Sequence, residues 1–462
     1  MNLKRARFFA LTFFVASMGL AFTSCDSKND DPIVAPKPKD EVVISGKITS
    51  TLNLDASKIY VLKGYVQVMD GGVINIPAGT IIKGEKTSKA ALIVERGGKI
   101  NAKGTATNPI VFTSDQKVGN RNIGDWSGII ICGKSLVNTA NGIAQYEGGA
   151  LGADIANYGG GNSPVLNDNS GEMSYVRIEF AGIAIEKDKE INGLTLCAVG
   201  SGTKLDHIQV SYGGDDGFEF FGGTVNASHL IVYRSIDDDF DFDQGYNGRI
   251  QYGISIKDPN ISDAQGTSRA IELENKGAVA NGKYSRPVLA NFTFIGPGAE
   301  GNQFHGAGIH FGLNSRMVLA NSVIVNAKGN AVEFNSNFPA AELQAGRSTF
   351  ANNIVFGNGA NYGLVGMDNS AVFKNVGELT AFVNTYNNSV VATLAAAGLI
   401  NTSLATPNLL LSSTSPAVGK AKWEGDDLST GFVKETFAGA MGTNDWTKGW
   451  ANWDPKNTDY SK

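Results

Sequence analysis

Phe218-Glu219-Phe220, Phe240-Asp241-Phe242, Ile271-Glu272-Leu273, Ile309-His310-Phe311 and Val332-Glu333-Phe334 are one pattern met five times, at steps of 22, 31, 38 and 23 residues. Each segment has an apolar residue on either side of a polar one. In an extended strand that alternation turns the apolar pair to one side and the polar residue to the other. A second series runs beside the first: Ile208-Gln209-Val210, Leu230-Ile231-Val232, Phe292-Thr293-Phe294, Val323-Ile324-Val325 and Ile354-Val355-Phe356. Ala290-Asn291, Ala320-Asn321 and Ala351-Asn352 precede three of these. Short strands recurring every 20 to 40 residues, with no helical period between them, are the signature of a solenoid.

Working outward, the same texture begins near residue 60. Val66-Gln67-Val68, Val73-Ile74-Asn75-Ile76 and Thr80-Ile81-Ile82 are followed by Leu92-Ile93-Val94, Lys99-Ile100-Asn101-Ala102 and Ile110-Val111-Phe112. The expectation is an all-β chain, a right-handed parallel β-helix over residues 45–410. A sandwich would need many hairpin turns of two to five residues, and few are present. Composition agrees: 57 Gly and 42 Asn in 462 residues, only 18 % charged, suit tight turns between strands that face a shared core. Asn at a fixed offset predicts a ladder of amides from coil to coil. The stretch from Leu136 to Met173, with Asn157-Tyr158-Gly159-Gly160-Gly161-Asn162, interrupts the pattern and reads as an excursion off the helix.

The first 24 residues carry Lys4, Arg5 and Arg7, then the apolar run Phe8 to Ala21. This is the anatomy of a secretory signal, too short to span a bilayer. It ends in Phe22-Thr23-Ser24-Cys25, a small residue directly before Cys, which predicts Cys25 as a lipidated first residue. Residues 25–44, with Asp26, Asp30, Asp31, Pro32, Pro36 and Pro38, read as a polar tether. The rest of the chain holds 36 basic and 44 acidic groups, which excludes a phosphate-tracking surface and hence nucleic acid. Cys132 and Cys197 sit in apolar runs and are expected as buried free thiols, with a disulfide between them left open.

Several blocks resemble a known group. These are Gly97-Gly98-Lys99-Ile100-Asn101-Ala102-Lys103-Gly104-Thr105 with Asn108-Pro109-Ile110-Val111-Phe112-Thr113-Ser114, Gly124-Asp125-Trp126-Ser127-Gly128-Ile129, Glu190-Ile191-Asn192-Gly193-Leu194-Thr195, and Leu205-Asp206-His207-Ile208-Gln209-Val210. They are similar to parallel β-helix lipoproteins of Bacteroidota with a pectin-lyase-like fold. The resemblance covers residues 45 to 460 and implies the fold more than an activity, since that fold serves lyases, hydrolases and binders. The acidic stretch after Cys25 resembles the surface-export signal of such lipoproteins. It implies an outer-membrane protein, lipid-anchored and facing the cell exterior.

The most chemical feature is Asp215-Asp216 followed by Asp237-Asp238-Asp239-Phe240-Asp241-Phe242-Asp243. Aligning Phe218 with Phe240 stacks Asp215 on Asp237, Asp216 on Asp238 and Glu219 on Asp241. Coils lie about 4.8 Å apart, where two like charges repel by about 0.9 kcal/mol in water and several-fold more near a protein surface. Three arrangements relieve this. A Ca²⁺ ion could be held by Asp215, Asp216, Asp237, Asp238 and Asp241. Basic side chains could intervene, and Arg269 falls one coil from Asp238. Or one carboxyl could stay protonated as a general acid. Glu219, Asp243, Arg269, Glu272 and His310 are the candidate ligand-binding residues around this column, with His310 facing outward between Glu272 and Glu333. His207 and His229 read as turn or strand-edge residues. No ligand spacing resembles a zinc site.

Paired Asp on a β-helix are similar to those of inverting polygalacturonases, but His305-Gly306 lacks the preceding Gly of their His motif. Their Asn-Thr-Asp and Arg-Ile-Lys blocks are absent too. Residues 411–462 hold four of the five Trp. They are expected to cap the solenoid, with Trp446 and Trp450 as an alternative sugar-stacking platform. With no complete catalytic constellation legible, the expectation is a surface binding scaffold for glycan or another extracellular solute, working beside an outer-membrane nutrient receptor. A polysaccharide lyase or glycosidase using Asp215–Asp243, and a structural or adhesive surface protein, remain the alternatives.

Overall fold

The computed structural model describes residues 39–146, 157–186, 189–276 and 282–461. The expected signal segment, Cys25 and most of the tether lie outside them. Within the described residues, one 26-stranded sheet winds through parallel pairings into a β-helix. Three faces repeat in each coil. The front face stacks Ala91–Val94, Gly128–Cys132, Leu194–Cys197, Phe218–Phe221, Phe240–Asp243, Ile271–Leu273, Ile309–Phe311, Asn330–Asn335 and Ala360–Val365. The base and rear faces are the two halves of long bent strands such as Gly171–Glu179, Lys204–Ser211, Asn226–Tyr233, Arg249–Ile256 and Val288–Ile295.

The bend between base and rear is made by one left-handed residue per strand. Tyr175, His207, His229, Tyr252, Asn291, Asn321 and Asn352 all have φ between 50° and 63°. Asn tolerates this conformation better than most residues, which explains its fixed offset. The first four positions are held instead by ring stacking: Tyr175 on His207 at 4.2 Å, His207 on His229 at 4.0 Å and His229 on Tyr252 at 4.6 Å. The amide ladder expected at these Asn is present in part: Asn291 Oδ1 accepts from Gln251 Nε2 (3.0 Å) and Asn352 Oδ1 from Asn387 Nδ2 (2.9 Å), while Asn321 bonds the backbone of Lys422. A second, buried ladder runs one residue further on. Phe292 N–H donates to Ser322 Oγ (3.0 Å), Ser322 N–H to Asn353 Oδ1 (2.9 Å), and Asn353 N–H to Asn388 Oδ1 (2.9 Å). An amide-to-amide ladder does occur on the base face of the first coils, where Asn101 donates to Asn75 and Asn75 to Asn53.

The inner side is apolar throughout. Phe218 stacks on Phe240 with centroids 5.5 Å apart, Phe220 on Phe242 at 4.9 Å and Phe311 on Phe334 at 4.5 Å. These rings belong to one core running from Ile44 to Val383. The helix Val376–Asn384 contributes Leu379 and Val383 to its far end.

Two boundaries and the course of the C-terminal segment differ from the sequence reading. The first strand, Glu41–Ile48, begins inside the expected tether because Ile44 and Ile48 already join the core. The last strand of the parallel sheet is Ser389–Val390, and Leu399–Asn401 pairs antiparallel with Asn408–Leu411 outside it. The C-terminal segment covers the solenoid along its flank. Ala417, Ala438, Ala440, Met441 and Trp450 lie against Ile231, Ile254, Val323 and Ile354 of the rear face. Leu428 lies against Val288 and Val318 of the base, and Tyr460 reaches Ile59, Ile81 and Val111 of the first coils. The excursion between Cys132 and Gly171 folds back onto the front face. Ala144–Gln145 pairs with Asn157–Tyr158, and Val137, Tyr146 and Tyr158 cover Ile93, Ile130, Cys132 and Cys197. Cys132 and Cys197 are both buried, in register on adjacent strands.

Candidate functional site

The outward residues of the front face form one continuous line. The register pairs Ile93 with Ile130, Ile130 with Thr195, Thr195 with Glu219, Glu219 with Asp241, Asp241 with Glu272, Glu272 with His310, and His310 with Glu333. The alignment of Glu219 on Asp241 read from the sequence is thus the observed one. From Glu219 the line leaves the cover of the excursion, and Glu219, Asp241 and Glu272 floor a cleft of about 670 Å³. Asp215, Asp216, Asp237, Asp238, Asp243, Asp263 and Lys276 also border it.

Asp216, Glu219 and Asp241 are 7 %, 6 % and 7 % exposed. One carboxylate oxygen from each lies within 4.8 Å of the other two. Asn192 Nδ2 donates to Glu219 Oε2, while Oδ1 of Asp241 is buried with no hydrogen-bond partner. Among the described residues no Lys or Arg nitrogen makes an ion pair with Asp216 or Asp241. Burial, then the neighbouring charges of Asp215, Asp241, Asp238 and Glu219, hold the Asp216 carboxyl well above the usual carboxylate range. Burial and Glu272 do the same to Asp241, against the pull of Lys276. Asp237 is pushed up to about 6, chiefly by burial.

Part of this acidity is structural. Asp216 N–H donates to Asn192 Oδ1 (3.1 Å), Asp238 N–H to Asp216 Oδ1 (2.8 Å), and Arg269 N–H to Asp238 Oδ1. These acids therefore act as rungs that tie successive turns, in the manner of a buried amide ladder. Basic side chains relieve the far side of the cluster. Arg269 Nη1 lies 2.6 Å from Glu272 Oε1 and 3.9 Å from Asp238 Oδ2. Lys257, itself buried, pairs with Asp239 at 3.0 Å. Counter-charges thus pair directly with Asp238, Asp239 and Glu272, whereas Asp216 and Asp241, which converge with Glu219, make no such ion pair among the described residues. Convergent hard oxygens and an orphaned buried oxygen fit a calcium-class cation.

The structure brings Asp215, Asp216, Glu219, Asp237, Asp238, Asp241, Asp243 and Glu272 to one cleft. Arg269 and His310 flank it through Glu272. Trp446 and Trp450 do not belong to it. Trp450 is 1 % exposed, its indole Nε1 donates to Trp446 O (2.7 Å), and its ring meets Tyr175 and His207 edge-on. Its faces are occupied by the flank packing, so the sugar-platform expectation fails for Trp450. Asn192, Asp263, Glu274 and Lys276 were not legible as site residues. Only Glu274 had a signal, lying two positions beyond Glu272 on the same strand face.

No curated protein matches the chain. Among solved structures, the crystal structure of pectate lyase Pel9A is similar at 13 % identity, covering 85 % of this chain and 89 % of that one, with a TM-score of 0.36. The Dettilon tailspike protein (gp208) is similar at 14 % identity, covering 71 % and 62 %, with a TM-score of 0.27. Neither overlay carries an argument about activity. A family model, the pectate-lyase like beta helix domain, matches residues 46–407, and the chain belongs to that family.

Proposed function

We propose that the chain is a lipid-anchored β-helix of the outer cell surface that binds an extracellular glycan in the acidic cleft, with a calcium-class cation as part of the site. Asp216, Glu219 and Asp241 would hold the ion, which would supply positive charge for an acidic or hydroxyl-rich sugar. The observation that carries this reading is the convergence of three buried carboxylates, one oxygen of which has no partner. The secretory signal, the Ser24-Cys25 junction and the acidic tether support the location. A cleft on a surface-exposed protein supports accessory work beside a nutrient receptor. Among the described residues no helix is long and apolar enough to cross a membrane.

Binding is favoured over turnover because of the cations that border the acids. Elimination on a uronate glycan with Lys or Arg as the base needs that group neutral. The acids around Lys276 outweigh its burial and push it above its ordinary value, and the same holds for Arg269. Groups held charged in this way are poor proton acceptors.

The test is calorimetric titration with Ca²⁺, followed by a panel of uronate and neutral polysaccharides with and without chelator. Glycan binding that requires Ca²⁺ and is lost in Asp216→Asn/Asp241→Asn is the expected outcome. Turnover of any polysaccharide, lost in an Asp216→Asn/Asp238→Asn variant, would replace binding with catalysis.

A further inference from the structure

The outward line of the front face continues past the acidic triad to a second cluster of different chemistry. Glu272, Glu274 and His310 each bring one ligand atom to within 4.8 Å of the other two. His310 is 2 % exposed. Its Nδ1 lies 2.7 Å from Glu333 Oε1, a contact that places the ring proton on Nδ1 and leaves the lone pair on Nε2. The one polar neighbour recorded for Nε2 is Asn335 Nδ2, at 3.4 Å, beyond the ordinary hydrogen-bond range. The amide of Asn335 thus makes only a long hydrogen bond to this nitrogen, one that a bound ion would replace.

The surroundings suit an ion. Arg269 engages Glu272 through Oε1 (2.6 Å), and Lys276 engages Glu274 through Oε2 (3.2 Å). Each ion pair thus engages one oxygen of its carboxylate. Gly312 adjoins both ligands: a β-carbon there would stand 2.9 Å from Glu274 Cγ and 3.1 Å from His310 Cδ2, the carbon bonded to Nε2. A side chain at this position would press on both, so glycine lets the turn close against this ring edge.

We propose that Glu272, Glu274 and His310 form a second metal site, for a first-row divalent ion of the zinc class. Imidazole nitrogen favours zinc, cobalt or nickel, whereas calcium takes oxygen ligands. Glu333 fills the role of the outer carboxylate that fixes the tautomer of a ligating histidine. No linear ligand spacing announces the site, because its members come from neighbouring coils and meet only when the coils stack. The other His-containing group, Asp206 with His207 and His229, is a poorer chelate. Its two rings are stacked 16° from parallel, so their in-plane lone pairs cannot converge on one ion.

The experiment titrates the full chain with Zn²⁺, and with Co²⁺ as a visible probe, at neutral pH in excess Ca²⁺. One equivalent of Zn²⁺ bound in the presence of Ca²⁺ is expected. His310→Gln and Glu274→Gln should abolish it while leaving the Ca²⁺ isotherm intact. Glu333→Gln should weaken Zn²⁺ by about 10–100-fold. Thermal unfolding of each variant shows that the fold is kept. The proposal is overturned if the wild-type chain binds no Zn²⁺ or if Ca²⁺ displaces it. It is also overturned if binding survives His310→Gln but disappears in His229→Gln. Loss of Ca²⁺ binding alone would remove the calcium reading and leave this site standing.

Discussion

The two halves of the front face share a sheet, a register and an inner line of apolar side chains, yet they do opposite things with their outer line. In the first half the outward residues are Ile93, Ile130 and Thr195, all buried, with Tyr146 and Tyr158 of the excursion packed over the face. In the second half they are Glu219, Asp241, Glu272, His310 and Glu333. The scaffold is indifferent to this change, since strand pairing and core packing depend on the inner residues and the backbone. What changes is the outer environment: a dry contact in one half, a cleft lined by ionisable groups in the other. The difference shows how a solenoid can carry a site without altering its core, by replacing outward residues along one line.

The largest effect should come from moving chemistry across that boundary. Ile130→Asp places a carboxylate under the excursion, among Ile93, Cys132, Tyr146 and Tyr158. Chemical denaturation should show a loss of about 3–5 kcal/mol, the usual scale for an unpaired buried charge. A loss below about 1 kcal/mol would mean that the two halves are not the distinct environments described.

Acidity supplies the next test. A carboxyl whose folded pKa lies above its unfolded value favours folding at low pH, and that stability is lost as pH rises through the folded pKa. Asp237 stands at about 6 in the folded chain, and Asp216, Asp238 and Asp241 are displaced in the same direction. In chelator the wild type should therefore lose about 3 kcal/mol relative to Asp237→Asn as pH rises from about 4 to above 6, a comparison in which the opposite contribution of His305, pushed down to about 4 by burial, cancels. Added Ca²⁺ should flatten the slope. A slope of the opposite sign in chelator would mean that these acids are already compensated.

The smallest effect is the most pointed. Asp241→Asn removes a charge that repels Glu272 and Asp243 and that burial opposes. In chelator at neutral pH it should raise stability by about 1–2 kcal/mol, and in Ca²⁺ the ranking should reverse. Calorimetric unfolding under both conditions decides it, and equal ranking in both would separate Asp241 from cation binding.

Much of this was legible before any coordinates. The spacing of Phe218, Phe240, Ile271, Ile309 and Val332 fixes which strands stack, and with it the pairing of Glu219, Asp241, Glu272 and His310. That works because register is set by short-range alternation, which sequence displays directly. Asp263 and Lys276 were hidden because they lie between strands, where steps of 31 and 38 residues leave the path open. The course of residues 411–461 was hidden for a different reason. Abundant Trp predicts that apolar surface will be covered, but not which surface. Here it is the rear and base faces, whose outward residues Ile231, Ile254 and Val288 are as apolar as a core. The second polar ladder, through Ser322, Asn353 and Asn388, is hidden because the Ala-Asn spacing marks the bend residue and not the one after it.

The flank segment also bears on the order in which the molecule can be assembled. Coils can stack in sequence as the chain emerges, since each needs only its predecessor. The rear face cannot be finished that way. Ile59, Ile81 and Val111 wait for Tyr460, whose hydroxyl also donates to Glu179 (2.6 Å), and Arg121 waits for the carbonyls of Pro455 and Thr458 (both 2.8 Å). A nascent chain stopped ahead of the flank segment leaves Ile231, Ile254 and Ile354 bare, and one stopped before Tyr460 leaves Ile59, Ile81 and Val111 uncovered. Completion is registered at the first coils, so the earliest part of the chain to fold is the last to be sealed.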